Sequence, residues 1–388
     1  MNLDVWAEID LCALAHNVGR LRSVLNPATQ MMAVVKANAY GHGVLPVARQ
    51  VLESGADSLG VARFAEALHL RQSGIEAPIL IFGYTPPELT VELVANNLTQ
   101  TVYSYETARE MAQQAGKAGN PLPVHIKVDT GMGRLGIVTR DGTASGPADG
   151  IAGAAAAEIH AIKNLPGLRV KGIYTHFATA DHCDKTDARR QFHLFQELTA
   201  ALANKDGEML WRHAANSAAI IDLPETHLDM VRAGISIYGL YPSAAVSRRQ
   251  VNLRPVMTLK ARIIHLKKVD AGFAVSYGAV EKTRHPTTIA TVSIGYADGY
   301  NRQLSCRGRM LVRGKSARVI GRICMDQTML DVGHIADVRI GDEVVIFGRD
   351  KGEELPVAEL AGMLDTISYE VVAGISDRVQ RVFSNQAG

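Results

Sequence analysis

The residue best suited to covalent chemistry is Lys36, which closes the apolar run MMAVV at 31–35 and precedes AlaAsnAlaTyrGlyHisGly. At the end of a buried strand an ammonium is desolvated, so its pKa falls and the free amine can form an imine. Pyridoxal phosphate (PLP) chemistry requires such an amine. A lone lysine at this position more often extends its stem toward water, and only the residues at the ends of the other apolar runs separate the two uses. KVDTGMGRLG places Arg134 on a glycine-rich turn, where a guanidinium can clamp a carboxylate and Gly131 and Gly133 let the backbone approach. A surface salt bridge is the plainer use of such an arginine. Lys127, inside the same run, needs a partner or a modification, because an unpaired buried ammonium is costly. His176 closes VKGIYTH, Asn216 and Ser217 follow MLWRHA, and Arg232, Gly234 and Ile235 lie at the end of LDMVRAG. Ser217 with the amides of Gly234 and Ile235 suits a phosphate, although helix N-capping is the commoner role for such a serine. His182, Cys183, Asp184 and Asp187 match no zinc or calcium spacing, and no metal is expected.

The elements that must position these residues alternate along the chain. Apolar, β-branched runs fall at 31–36, 58–62, 78–83, 99–103, 124–129, 170–176, 209–214 and 228–234. Stretches of helical period such as GVLPVARQVLES, FAEALHLRQSG and SYETAREMAQQAG separate them. Eight such units close most naturally as a TIM-like (β/α)8 barrel, an α/β fold whose active site forms at the C-terminal strand ends. After about residue 250 the runs become rich in Val, Ile and Thr and are broken by Gly and Asp turns, which predicts a mainly β domain with a helix at VAELAGMLD. The expected division is therefore a barrel over residues 1–252 and a β domain over 253–388, with Pro242 to Pro255 as the linker. The opening run VWAEIDL is itself strand-like and could pack with the β domain. The Gly- and Ala-rich stretch from Thr139 to Ala157 reads as surface decoration.

With 388 residues, two domains are expected, since single cores split beyond roughly 250 to 300 residues. Lys and Arg number 41 against 39 Asp and Glu, a net charge of +2, so no broad field favours nucleic acid or a membrane surface, and a small ligand is expected. The four cysteines are scattered without a pairing or ligand pattern and read as free thiols. The N-terminus lacks the basic and long apolar regions of a signal peptide, and a cytoplasmic location is expected.

AVVKANAYGHG, KVDTGMGRLG, THFATAD, ANSAA, VRAGISIYGLYP, VSYGA, IGYADG, GRICMDQ and ISYEV follow one another in order. Through them the chain resembles the bacterial alanine racemases along nearly its whole length. The resemblance implies a PLP-dependent interconversion of L- and D-alanine, supplying D-alanine for peptidoglycan, by a homodimer with shared active sites. It implies that Lys36 holds PLP as a Schiff base and acts as one of two opposed bases, with Tyr277 of the partner subunit as the other. Tyr40, Ser217, Gly234, Ile235 and Tyr369 would hold the phosphate, with Asn216 and His176 also at the cofactor, and Arg232 would face the pyridine nitrogen. Arg134, Met325 and Asp326 would bind substrate, the last two from the partner. Lys127 would be carbamylated, giving an anion that holds Arg134. Where the family commonly has proline and tyrosine, this chain has Gln380 and Phe383, for which local packing changes are expected. A broad-specificity racemase of the same fold and a non-catalytic PLP carrier are the competing readings. Tyr369 speaks against the first, and the C-terminal third carrying Tyr277 and Met325 speaks against the second.

Overall fold

The computed structural model describes residues 3–139, 149–206 and 210–385 and divides into two compact units. One comprises Ala15–Ala39 and Val44–Leu253, the other Met1–Leu14, Tyr40–Gly43 and Arg254–Gly388.

After the N-terminal strand β1 (Val5–Asp10), the first unit is built from β2 (Gln30–Val34), β3 (Ser58–Val61), β4 (Ile79–Ile81), β5 (Thr99–Val102) and β6 (Leu122–Asp129). A two-residue β7 (Ile137–Val138) lies beside β6, and β8 (Leu168–Tyr174), β9 (Trp211–His213) and β10 (Met230–Ala233) complete the set. Apart from β1 and β7 these strands are parallel neighbours in chain order, and β10 pairs back onto β2, so the sheet closes as an eight-stranded barrel. The eight expected runs each supply one barrel strand. Every residue of β3, β4 and β10 is buried, because strands covered on both faces read as continuous apolar runs instead of alternating ones. Helices Val44–Glu53, Phe64–Gln72 and Tyr105–Ala118 fall where the helical period predicts them.

In the second unit come β11 (Met257–Val269), a ribbon of β12 (Ala274–Val275) and β13 (Glu281–Lys282), and β14 (Thr287–Val292). They are followed by β15 (Arg309–Val312), β16 (Lys315–Val319), β17 (Thr328–Asp331), β18 (Glu343–Asp350), β19 (Glu353–Leu355) and β20 (Gln380–Ser384). The sheet order is β19-β18-β15-β16-β17-β14-β11-β1-β20, with β18 also bonded to β11. Helix Val357–Met363 lies within the expected VAELAGMLD segment.

Two expectations need correction. Residues 3–14 group with the β unit, as the strand-like opening run allowed, and not with a barrel domain of 1–252, because β1 pairs antiparallel to β11 and parallel to β20. The stretch from Thr139 to Ala157 is not simply decoration: residues 140–148 lie outside the described residues, but Asp149–Lys163 is a helix that buries Ala155, Ile159 and Ile162. Its alanines are the strongest helix formers and outweigh the glycines. Among the described residues no helix is long and apolar enough to cross a membrane.

Candidate active site

Lys36 lies two residues beyond β2, half-buried, at the start of an unusual turn. Ala37, Asn38, Ala39 and Tyr40 all have φ between 52° and 54°. A left-handed turn of L-residues costs roughly 1–2 kcal/mol per residue, so it must be held from outside. Ala37 N–H donates to Glu66 Oε1 at 2.6 Å and Val44 N–H to Asn38 Oδ1 at 2.8 Å. Glu66 Oε2 also accepts from the amides of Ala62 and Arg63, tying the Lys36 turn to the start of helix Phe64–Gln72. Burial lowers the Lys36 pKa and the Arg134 charge lowers it further, against the opposing pull of Glu66.

The turn after β6 is organised by Asp129, whose Oδ1 accepts from the amides of Gly131, Met132 and Gly133 at 2.9, 2.8 and 3.2 Å. Burial alone would raise this carboxyl, but the amides and the Lys127 charge hold it below its ordinary value. Arg134 follows on the exposed side of the turn. Gly136 has a φ of 134°, and a Cβ there would meet the Asp129 nitrogen and Val128 carbon at 2.6 Å. Lys127 is 4% exposed and donates to the Leu135 carbonyl at 2.6 Å. Burial and the Arg134 charge lower it to about 8.

Arg232 is the hub of the barrel interior. Its Nη2 donates to the carbonyls of Thr175 (2.7 Å) and Ala214 (2.9 Å) and to His176 Nδ1 (3.2 Å), and its Nη1 donates to His213 Nδ1 (2.9 Å). None of these bonds uses Nε. Burial lowers Arg232 to about 10, so it remains a cation at neutral pH. Burial and the charges of Arg232, Arg134, Lys127 and Lys36 hold His176 well below the ordinary histidine range.

Ser217 opens helix Ser217–Asp222, but its cap is Asn216, whose Oδ1 accepts from Ala219 N–H at 3.1 Å. Ser217 Oγ instead accepts from the amides of Gly234 (2.9 Å) and Ser236 (3.3 Å). These donors form a small cradle around an oxygen. Ile235 is buried beside them.

In the β unit, Tyr277 is 69% exposed, Met325 53% and Tyr296 41%. Tyr277 stands in a turn where Ser276, Gly278 and Ala279 have φ of 63°, 73° and 46°. Ser276 Oγ anchors that turn on the Arg322 carbonyl at 2.6 Å. The Cys324 and Met325 carbonyls accept from the amides of Tyr296 (3.1 Å) and Ala297 (3.0 Å). Asp326 pairs with Arg378 at 2.8 Å. Tyr40 and Tyr369 lie with ring centroids 6.0 Å apart and planes tilted by 51°. The Phe383 ring lies 2.7 Å from where a Cβ on Gly43 would stand.

Sequence reasoning missed His125 and His213, buried polar residues inside barrel strands, and the left-handed turn, which has no glycine before Gly41 to announce it. A histidine in an otherwise apolar run was the available signal for the first two.

The chain matches the family models described as "Alanine racemase, N-terminal domain" over residues 9–242 and "Alanine racemase, C-terminal domain" over 256–383. An alanine racemase from Desulfosudis oleivorans is 54% identical over 384 residues, covering 99% of this chain and 97% of the relative. The solved alanine racemase of Clostridium difficile 630 superposes with a TM-score of 0.92 at 39% identity, over 100% of this chain and 97% of that one. A histidine racemase from Leuconostoc mesenteroides subsp. sake superposes at 0.86 with 29% identity, over 98% of each chain. With both of its domain models matched and a relative above half identity along its length, the chain belongs to the alanine racemase family.

Proposed function

We propose that this chain is a PLP-dependent alanine racemase in which Lys36 and Tyr277 of the partner subunit are the two acid–base groups. What supports the reading is that three unlike binding groups lie on or just beyond the neighbouring strands β2, β9 and β10. A phosphate needs amides and a hydroxyl, as at Ser217, Gly234 and Ser236. A ring nitrogen needs a fixed donor, as Arg232 has in its unused Nε. An aldehyde needs an amine of lowered pKa, as at Lys36. The residues present therefore fit PLP, with Ile235, Tyr40 and Tyr369 added at the phosphate and Asn216 and His176 beside the cofactor.

When bound, PLP supplies an electron sink for the pair left when the Cα–H bond of alanine breaks. Racemisation then needs a proton taken from one face of Cα and one returned to the other. Lys36 serves one face and Tyr277 of the partner subunit the other. Arg134, the Met325 backbone and Asp326 hold the substrate, the last two from the partner. Arg232 accepts no proton and gives up none near neutrality, so facing the ring nitrogen of a bound cofactor it would offer a hydrogen bond without a proton, and the sink supplied would be a weak one. Lys127 and Arg134 are mutually repelling cations, and the Asp129 carboxylate is already engaged by three amides. With Lys127 lowered to about 8, part of the amine is neutral at physiological pH. Addition of CO2 to it, with loss of a proton, gives a carbamate that attracts Arg134.

The four free cysteines suit a reducing cytoplasm, and the product fits supply of D-alanine for peptidoglycan. The test is loss of optical rotation from L-alanine with and without added PLP, beside Lys36→Ala. Absence of racemisation by the PLP-loaded wild type overturns the reading. Because a histidine racemase shares the fold, L-serine and L-histidine are run alongside, and alanine is expected to be turned over fastest.

A further inference from the structure

Deeper in the barrel than Arg232 lie two histidines that the racemase reading does not use. His213 Nδ1 is 2.9 Å from Arg232 Nη1, and His213 Nε2 is 2.8 Å from His125 Nδ1. Both rings are buried. Tyr174 stacks on His213 with centroids 4.6 Å apart and planes 13° from parallel, and its hydroxyl lies 3.1 Å from Thr101 Oγ1. The Arg232 guanidinium carbon lies 5.1 Å from the Tyr174 ring centroid.

Donor chemistry gives this chain a direction. A guanidinium only donates, so His213 Nδ1 accepts from Arg232. The proton of neutral His213 is then on Nε2 and is donated to His125 Nδ1, which places the His125 proton on Nε2 as well. Protonating His213 would set an N–H against Arg232, and protonating His125 would set one against His213. The charges acting on the pair are Arg232 and Lys171, both cations, and Tyr174 is the titratable group stacked on it. Burial first, and then these cations, hold both rings neutral well below the ordinary histidine range, His125 at about 3.

Space for the inner ring is provided by a glycine. Gly172 is the β8 partner of His125 on β6, and a Cβ there would stand 2.6 Å from the imidazole and 2.8 Å from the Trp211 carbonyl oxygen. A glycine weakens a strand interior, and its place is where another group must come close.

We propose that His213 and His125 are positioning residues for Arg232: a one-way, uncharged hydrogen-bond relay that fixes the plane of the guanidinium, with Gly172 making room for it. The carbonyls of Thr175 and Ala214 hold Nη2, and the relay holds Nη1, so two separate anchors prevent rotation of the group and aim Nε. The proposal rests on the reading of Arg232 as the partner of the cofactor's ring nitrogen.

Nitrogen-15 NMR of histidine-labelled enzyme, with and without PLP, tests it directly. His125→Gln and His213→Gln assign the signals. Both residues are expected as the Nε2-protonated tautomer, unchanged between about pH 5.5 and 8. Titration of either ring in that range, or a proton on Nδ1, overturns the relay. A second arm compares His125→Gln, whose carbonyl can still accept from His213, with His125→Leu, which cannot, and with Gly172→Ala, which crowds the ring. The leucine and alanine variants should mix the His213 tautomers and lower kcat about tenfold with KM little changed, while glutamine should recover most of the rate. Equal losses in Gln and Leu with an unchanged His213 tautomer would mean packing alone, and would also overturn it. If His125→Leu does not fold, the wild-type spectrum and His125→Gln still decide. Correct tautomers in a protein that racemises nothing would sink the racemase reading and leave the relay standing.

Discussion

The barrel residues of the proposed site and those of the β unit are held in opposite ways. Arg232, Lys127 and Ser217 are each 4% exposed and bonded within their own unit, Arg232 through four acceptors. Tyr277 and Met325 are each more than half exposed, and what is fixed about them is the backbone beneath. One feature is shared: both proposed bases adjoin left-handed, non-glycine backbone, Ala37 to Tyr40 after Lys36, and Ser276 and Ala279 around Tyr277. Strain of this kind persists where surrounding structure over-determines it, and it clusters at functional sites. The barrel half is thus preorganised by its own unit. The β half presents large side chains that its own unit does not cover, which suits use by another surface.

The strongest way to break this contrast is to inactivate each half in a different subunit. Lys36→Ala and Tyr277→Phe should each lower racemisation by about 10²- to 10⁴-fold. When the two variants are unfolded together and reassociated, about a quarter of wild-type activity should return, because each mixed dimer keeps one intact shared site. No recovery would place Tyr277 in the same subunit's site as Lys36.

Stability should divide along the same line. Gly136→Ala drives a Cβ into backbone atoms of β6 at a φ of 134° and should cost about 3 kcal/mol. Tyr277→Phe, at an exposed ring, should stay within about 0.5 kcal/mol of wild type. Denaturant melts of both check the pair, and a large loss from Tyr277→Phe would erase the contrast.

A pH effect should follow from the barrel histidines. His125, His176 and His213 stay neutral when folded, because burial and nearby cations lower their pKa values. Unfolded histidines take up protons below about pH 6.5. The unfolded state then binds more protons, so this stabilisation is full above that pH and is lost as pH falls. The slope should reach at most about 1.4 kcal/mol per pH unit for each histidine. Stability that does not change between pH 7 and 5 would count against neutral histidines. The smallest effect expected is at Ala37→Gly, which relieves one left-handed residue and should stabilise by about 0.5 kcal/mol after glycine's extra backbone entropy. A fall in melting temperature would show that the turn is not strained there.

The barrel was legible because its strands are buried on both faces and recur with helices between them, so count and spacing were enough. Residues just beyond a strand, such as Lys36 and Arg134, were legible as chemistry interrupting apolar runs. His125 and His213 were not, because a polar residue inside a strand gives no sign of which neighbours it meets across a closed sheet. The left-handed turn escaped for a different reason: one of the groups that hold it is Glu66, almost 30 residues away, and nothing in Ala-Asn-Ala-Tyr announces that contact. The Asn216 cap was misplaced by one residue, onto Ser217, since both residue types cap helices well.

The pairing of β1 has a consequence for synthesis. This strand is made well before either of its neighbours, β11, beginning at Met257, and β20, ending at Ser384. At translation rates of roughly 5–20 residues per second, β1 waits roughly 10 to 50 s for the first of them. Trp6, Ala7 and Ile9, all buried in the finished sheet, are uncovered for that time. The barrel strands β2 to β10 are all made before β11, but the nine-stranded sheet can be sealed only once β20 has followed it.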